Sequence, residues 1–183
     1  MGMVFPKAYA DRVARLRVPG GFLLVAAFAW LSIPTPRSLA WGVPVSVAGL
    51  WLRAWAAGCL AKDRELATGG PYAYTRNPLY LGTLLVAAGL VLASRNTWLA
   101  ILFAAVFVLV YLPVIQLEEQ HLRKLFPEYA AYEATVPRVW PRLRNAAAAQ
   151  RRFAWRQYWK NREYQAEAGY AAGLVLLLWK ALF

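Results

Sequence analysis

Apolar residues fall in long blocks along this chain, and polar residues are crowded into the intervals between them. A bilayer core of about 30 Å calls for roughly 20 apolar residues as helix. Five segments approach that length: about Gly20 to Ile33, Leu39 to Ala61, Leu79 to Ala93, Trp98 to Leu117 and Ala168 to Phe183. The first ends at Pro34 and Pro36, and the second is interrupted by Pro44 and Arg53. The third starts just after Asn77-Pro78, which suits proline in the first turn of a helix. The fourth carries Pro113, where a kink is expected, and the fifth carries Lys180 near its end. The pattern predicts an all-α, polytopic membrane protein with four to five transmembrane helices. The first and last segments are short for full spans, so tilt, re-entry or packing against neighbours are the alternatives for them.

Charge then supplies an orientation. Lys7, Arg12, Arg15 and Arg17 precede the first block, Lys62, Arg64 and Arg76 lie between the second and third, and ten Lys or Arg lie between Glu118 and Glu167. The opposite loops hold only Arg37 and Arg95. This asymmetry places the N-terminus and the Lys62 to Asn77 loop in the cytoplasm, as for a bacterial inner-membrane protein. No cleavable leader is expected, because Lys7, Asp11 and Arg12 come before any apolar stretch.

Composition agrees with the blocks. Of 183 residues 60% are hydrophobic and 16% charged, with a mean hydropathy of +0.36. The net charge of +12 would suit nucleic acid or lipid phosphates alike. Beside long apolar runs and nine Trp it points to lipid head groups, and no nucleic-acid partner is expected. Cys59 and His121 are the only residues of their kinds, which excludes a disulfide and a metal site built on several Cys or His. Length suggests a single domain over 1–183. Near its end lie a low-complexity patch, Ala146 to Ala149, and a basic and aromatic stretch from Arg151 to Lys160. On a helix Arg152, Arg156 and Lys160 would stack beside Trp155 and Trp159, as in an interfacial anchor.

Two polar blocks hold the candidate chemistry. Thr68 to Gly82 combines the pair Gly69-Gly70 with Arg76 and with Tyr72, Tyr74 and Tyr80. Glycine lets a backbone approach a ligand, and a guanidinium clamps a carboxylate or phosphate with paired donors. The bland alternative is a loop with interfacial aromatics and a proline helix start. The second block runs from Glu118-Glu119 to Arg138. A fourth helix continued to Phe126 would be roughly 45 Å long and would carry both acids out of the bilayer. Arg123, four residues on, is the expected partner of Glu119, whereas Glu118 has no local partner and would suit a cationic ligand.

Gly70-Pro71-Tyr72 followed by Arg76-Asn77-Pro78-Leu79-Tyr80-Leu81-Gly82, with Glu118-Glu119 and then Phe126, Tyr129 and Tyr132, resembles the isoprenylcysteine carboxyl methyltransferase and phospholipid methyltransferase superfamily. The resemblance covers about residues 61–143, with residues 145–183 as an added tail. It implies S-adenosylmethionine as cofactor in a cytoplasm-facing pocket, bound by Gly70, Tyr72, Arg76, Asn77, Pro78, Tyr80, Glu118 and Glu119. Arg76 and Glu118 would be the catalytic pair. The methyl acceptor would be a lipid-like or small apolar carboxylate, amine or thiol, and membrane lipids the partners. Asn77 stands where the prenylcysteine enzymes usually carry His, which speaks against that one substrate.

Arg53 lies roughly 13 Å into the second block, where an arginine faces the protein interior or water, or snorkels to the surface. Cys59 is expected to pack as a small apolar residue, and His121 to assist packing or hydrogen bonding. Two other classes compete with the transferase. One is an NADPH-dependent membrane sterol or enone reductase, which should show more spans and more basic residues. The other is a non-catalytic membrane scaffold that retains the motif.

Overall fold

The computed structural model describes residues 5–142 and 152–183. The patch Ala146 to Ala149, with Arg144 and Arg151 of the basic stretches, lies outside the described residues. Those described are helical and contain no strand. Helix α1 is Lys7–Leu31, α2 is Pro36–Cys59 and α3 is Pro78–Ser94. Helix α4, Thr97–Leu125, is followed by α5 (Tyr129–Thr135), α6 (Trp155–Lys160) and α7 (Tyr164–Leu182). The apolar blocks of the sequence thus reappear as α1, α2, α3, α4 and α7, with α1 starting well before its apolar part.

The ends of these helices have visible causes. Thr35 and Ser38 form a capping box that starts α2 ahead of Pro36. Asn96 accepts from the backbone N–H groups of Trp98 and Leu99 and starts α4. Within α1, Pro19 removes a backbone donor, and the arms Lys7–Leu16 and Pro19–Leu31 meet at 57°. In α4 the proline effect takes another form. Pro113 cannot bond the carbonyl of Leu109, the chain passes through a π-helical turn at Phe107–Tyr111, and the Tyr9 hydroxyl donates to that carbonyl at 2.7 Å.

α2 and α3 form the most extensive helix pair, running antiparallel. Small residues set their closeness: a Cβ on Gly49 would lie 2.7 Å from the carbonyl oxygen of Gly82, and one on Gly82 would lie 2.5 Å from Cγ of Arg53. Ser46 and Ser38 donate across the seam to the carbonyls of Val86 and Ala93 at 3.1 and 2.8 Å. One end of the bundle gathers the last turn of α1, the start of α2, the α3–α4 turn and the end of α7. There Ile33 N–H donates to Ser94, Asn96 donates to Leu31, and Lys180 donates to the Ala29 carbonyl. That ammonium also faces the negative end of the α1 dipole. At the opposite end, Phe5 and Gln116 exchange two hydrogen bonds of 2.9 Å, and both polar blocks of the sequence are found.

Large apolar side chains cover the outside, among them Phe22, Leu23, Trp30, Trp41, Trp98, Ile101, Val175 and Trp179. By length and hydropathy, one helix among the described residues, Thr97–Leu125, can cross a membrane, or two if the bent α1 is taken as one span. α3, at 17 residues, is a shorter apolar helix. The helical architecture expected from the sequence is therefore present, while the count of four to five spans is not fixed by these measures.

Candidate active site

After α2 the chain makes a short 3₁₀ turn, Gly70–Ala73, against the end of that helix. Gly70 has φ +61°, and a Cβ there would stand 2.8 Å from Cys59 Sγ, so both conformation and space demand glycine. Tyr72 and Cys59 are buried in the same cluster as Ala56 and Ala67, and Cys59 is the small packing residue expected. Tyr132 donates its hydroxyl to the Tyr72 carbonyl at 2.7 Å, which ties α5 to the turn.

Glu119 is the hub of the next layer. It is 2% exposed and accepts from Arg138 through Nε at 2.9 Å and Nη2 at 2.7 Å. Arg76 Nη2 lies 3.4 Å from its other oxygen, and Asn77 Nδ2 donates to that oxygen at 3.4 Å. The chain after α5 is zipped to the loop before α3: Arg76 N–H donates to Pro137, Arg142 N–H to Tyr74, and Thr75 and Asn77 side chains both donate to the Arg138 carbonyl. The expected Glu119–Arg123 pair is absent. Arg123 instead forks onto Glu133 at 2.6 and 2.9 Å, because α5 folds back and offers a carboxylate to its exposed side. That guanidinium holds the Glu133 carboxyl below the ordinary range. Arg76 Nη1 also approaches Glu133 (3.7 Å) and the Tyr129 hydroxyl (3.4 Å), while its Nε is buried without a partner.

Burial raises the hydroxyl pKa of Tyr72 and Tyr132 above the ordinary tyrosine range. Burial and the nearby Glu119 lift Tyr129 to about 12, against the opposing pull of Arg76. All three are therefore neutral hydroxyls near pH 7, able to donate hydrogen bonds and unable to act as bases.

Glu118, one residue from the hub, points elsewhere. It is exposed, and the Tyr80 hydroxyl donates to its Oε1 at 2.8 Å, a partner 38 residues away that local spacing does not reveal. Both line a cavity of about 670 Å³ whose other walls include Phe22, Leu79, Val86, Tyr111, Thr83 and Arg53. Tyr111, set by the π-helical turn, meets the Tyr80 ring edge-on at 5.8 Å. Arg53 turns inward: Nε and Nη2 fork onto Glu163, and Nη1 donates to the Leu79 carbonyl and to Thr83 Oγ1. Its charge is therefore matched within the protein, leaving Glu118 as the cavity carboxylate that no cation pairs with among the described residues.

The structure thus gathers the sequence-predicted residues at one end of the bundle and divides them. Tyr80 and Glu118 face the cavity. Gly70, Tyr72, Asn77, Pro78 and Glu119 are buried in packing or in the hub, and Arg76 lies between hub and α5. His121 is exposed, 3.6 Å from Asp63. Sequence reasoning missed three residues. Arg138 gave a signal, a cation placed right after Pro137 in a tail rich in tyrosine; Glu163 and Tyr111 gave none.

A family model described as phospholipid methyltransferase matches residues 38–129, which takes in the first polar block and the second as far as Tyr129, and stops short of Tyr132 and Arg138. Two curated proteins are similar: the cobalt-zinc-cadmium resistance protein CzcN of Cupriavidus metallidurans and the nickel-cobalt-cadmium resistance protein NccN of Alcaligenes xylosoxydans xylosoxydans. Each is 36% identical over 103 residues, which is 56% of this chain and 47% of the relative. The chain spans about half the length of these relatives. No solved structure matches it.

Proposed function

Since this chain belongs to the phospholipid methyltransferase family, we propose that it is a multi-pass membrane enzyme moving a methyl group from S-adenosylmethionine to a lipid-like or small apolar acceptor, with its N-terminus and active site facing the cytoplasm. One observation carries the reading: a cavity with largely apolar walls holds a carboxylate, Glu118, that no cation neutralises among the described residues. Such a group favours a cationic or proton-bearing ligand. Support for the membrane setting comes from the 29-residue apolar helix Thr97–Leu125, the apolar outer surface, and exposed Trp30, Trp41, Trp98 and Trp179 near one end of the bundle.

The residues present fit the cofactor. When bound, S-adenosylmethionine supplies an electrophilic methyl carbon on a sulfonium. Glu118 would accept from its amino group or ribose hydroxyls, and the buried, unpartnered Nε of Arg76 suits its carboxylate. The apolar walls exclude water and align the acceptor, the main work a protein does for an in-line methyl transfer. An ionised carboxylate acceptor needs no base. An amine or thiol acceptor must lose a proton, and Glu118 is the base in the cavity, with Tyr80 holding Oε1 and leaving Oε2 for that proton.

Calorimetric titration of the purified protein with S-adenosylhomocysteine and with NADPH tests this. Binding of the first alone is expected, with Glu118→Gln weakening it roughly five- to a hundredfold as a charge-assisted bond becomes a neutral one. Binding of NADPH alone would replace the transferase with a reductase. Binding of neither would leave a scaffold, and an unaffected variant would move the cofactor away from Glu118.

A further inference from the structure

The stretch from Arg152 to Lys160 takes no part in the cavity, yet it is firmly held. Ala154 N–H donates to the Gly58 carbonyl at 3.0 Å, and Asn161 donates to the carbonyls of Ala57 (2.8 Å) and Leu60 (3.0 Å), satisfying acceptors that the end of α2 leaves open. The Phe153 ring lies where a side chain on Gly58 would be. Tyr158 is buried on the inner side, and a ladder of ring contacts runs through Phe153, Trp155, Tyr158, Trp159 and Tyr164.

What this anchored segment turns outward is unusual. Trp155 and Trp159 are 67% and 58% exposed, although their inner neighbour shows that the segment has a buried side. Arg152, Arg156 and Lys160 are exposed beside them, and none pairs with a carboxylate among the described residues. No acidic residue occurs from 152 to 160, and the next one, Glu163, is turned inward onto Arg53. The face therefore has three uncompensated cations and two indoles, held at the end of the bundle where α2 finishes.

We infer that this face is a binding site for anionic phospholipid head groups, the indoles seating between head group and acyl chain and the three cations pairing with phosphates. The charge selects anionic over zwitterionic lipid, and the exposed indoles favour a membrane over a soluble polyanion. Because Asn161 and Glu163 follow directly, a lipid bound here also fastens the segment that holds Glu163 on Arg53 at the cavity wall. The site is independent of the chemistry in the cavity.

The test uses the full chain in detergent, titrated with phosphatidylglycerol or phosphatidylcholine and read by native mass spectrometry and by melting temperature. Wild type should retain phosphatidylglycerol in preference to phosphatidylcholine and melt higher in its presence. The triple variant Arg152→Gln/Arg156→Gln/Lys160→Gln should melt like wild type without lipid, since these side chains hold no other part of the protein. It should lose the preference by about fivefold per charge, roughly a hundredfold in all. Equal retention of the two lipids by wild type, or an unchanged preference in the variant, would overturn the site. So would tight binding of heparin that displaces phosphatidylglycerol, which would reassign the face to a soluble polyanion.

Discussion

Replacing Glu119 by glutamine should damage this protein far more than the same change at Glu118, although the two acids are adjacent. Glu119 is 2% exposed and takes both donors of the Arg138 fork, with Arg76 and Asn77 on its other oxygen. Glutamine keeps the shape but leaves two guanidinium groups facing each other without their shared anion. Removing one partner from a buried pair costs about 3 to 5 kcal/mol. The Arg138 side chain is 31% exposed and can turn toward water, so the lower end of that range, about 3 kcal/mol, is the expected loss. Glu118→Gln loses one charge-assisted hydrogen bond at an exposed site, about 1 kcal/mol. Thermal unfolding in detergent followed by tryptophan fluorescence gives the first comparison. Hydrogen exchange gives a local one, because the Arg76 and Arg142 amides are held by Pro137 and Tyr74 and should open when the hub fails. Equal melting of the two variants, with both amides still protected in Glu119→Gln, would refute the hub.

Three further outcomes are expected. Arg53→Met and Glu163→Leu should each destabilise strongly, and Arg53→Met/Glu163→Leu should recover most of the loss, because an isolated buried charge is worse than an apolar pair; urea unfolding of the set as a double-mutant cycle measures it. Gly49→Val should disrupt the α2–α3 seam, its Cβ falling 2.7 Å from the Gly82 carbonyl oxygen, and a normal melting temperature would contradict that packing. Finally, Tyr129 has a folded pKa of about 12 against an ordinary 10.0. The unfolded chain therefore sheds that proton first, so this contribution is intact below pH 10 and is lost between pH 10 and about 12; Tyr129→Phe should flatten the loss in a pH series of melting curves.

How much of this was legible depends on range. The apolar blocks, the proline and asparagine helix starts and the Tyr-rich tail are local signals, and α2, α3 and α4 fall where those signals put them. The residues of the family motif likewise gather at one end of the bundle. What local reasoning could not see was direction. Glu118 and Glu119 differ by one residue, about 100° around a helix, and that rotation sends one into the cavity and the other into the hub. The partner of Glu119 escapes local spacing for the same reason. Spacing offered Arg123, but α5 returns to supply Glu133, and a chain segment 19 residues on brings Arg138. Arg53 posed a problem that the sequence stated without its answer, since its carboxylate lies 110 residues downstream.

That distance has a consequence for synthesis. At about 5 to 20 residues per second, Arg53 emerges roughly 5 to 20 s before Glu163 exists. During that interval the guanidinium sits in a nascent hairpin whose second arm, α3, arrives after only 26 to 30 residues and offers the Leu79 carbonyl and the Thr83 hydroxyl. These neutral acceptors hold one edge of the guanidinium while the Nε and Nη2 edge waits. The segment that carries Glu163 therefore completes the bundle instead of decorating it: a chain cut short before Glu163 would leave the Nε and Nη2 edge of Arg53 without its carboxylate, an unanswered cation at the wall of its own cavity.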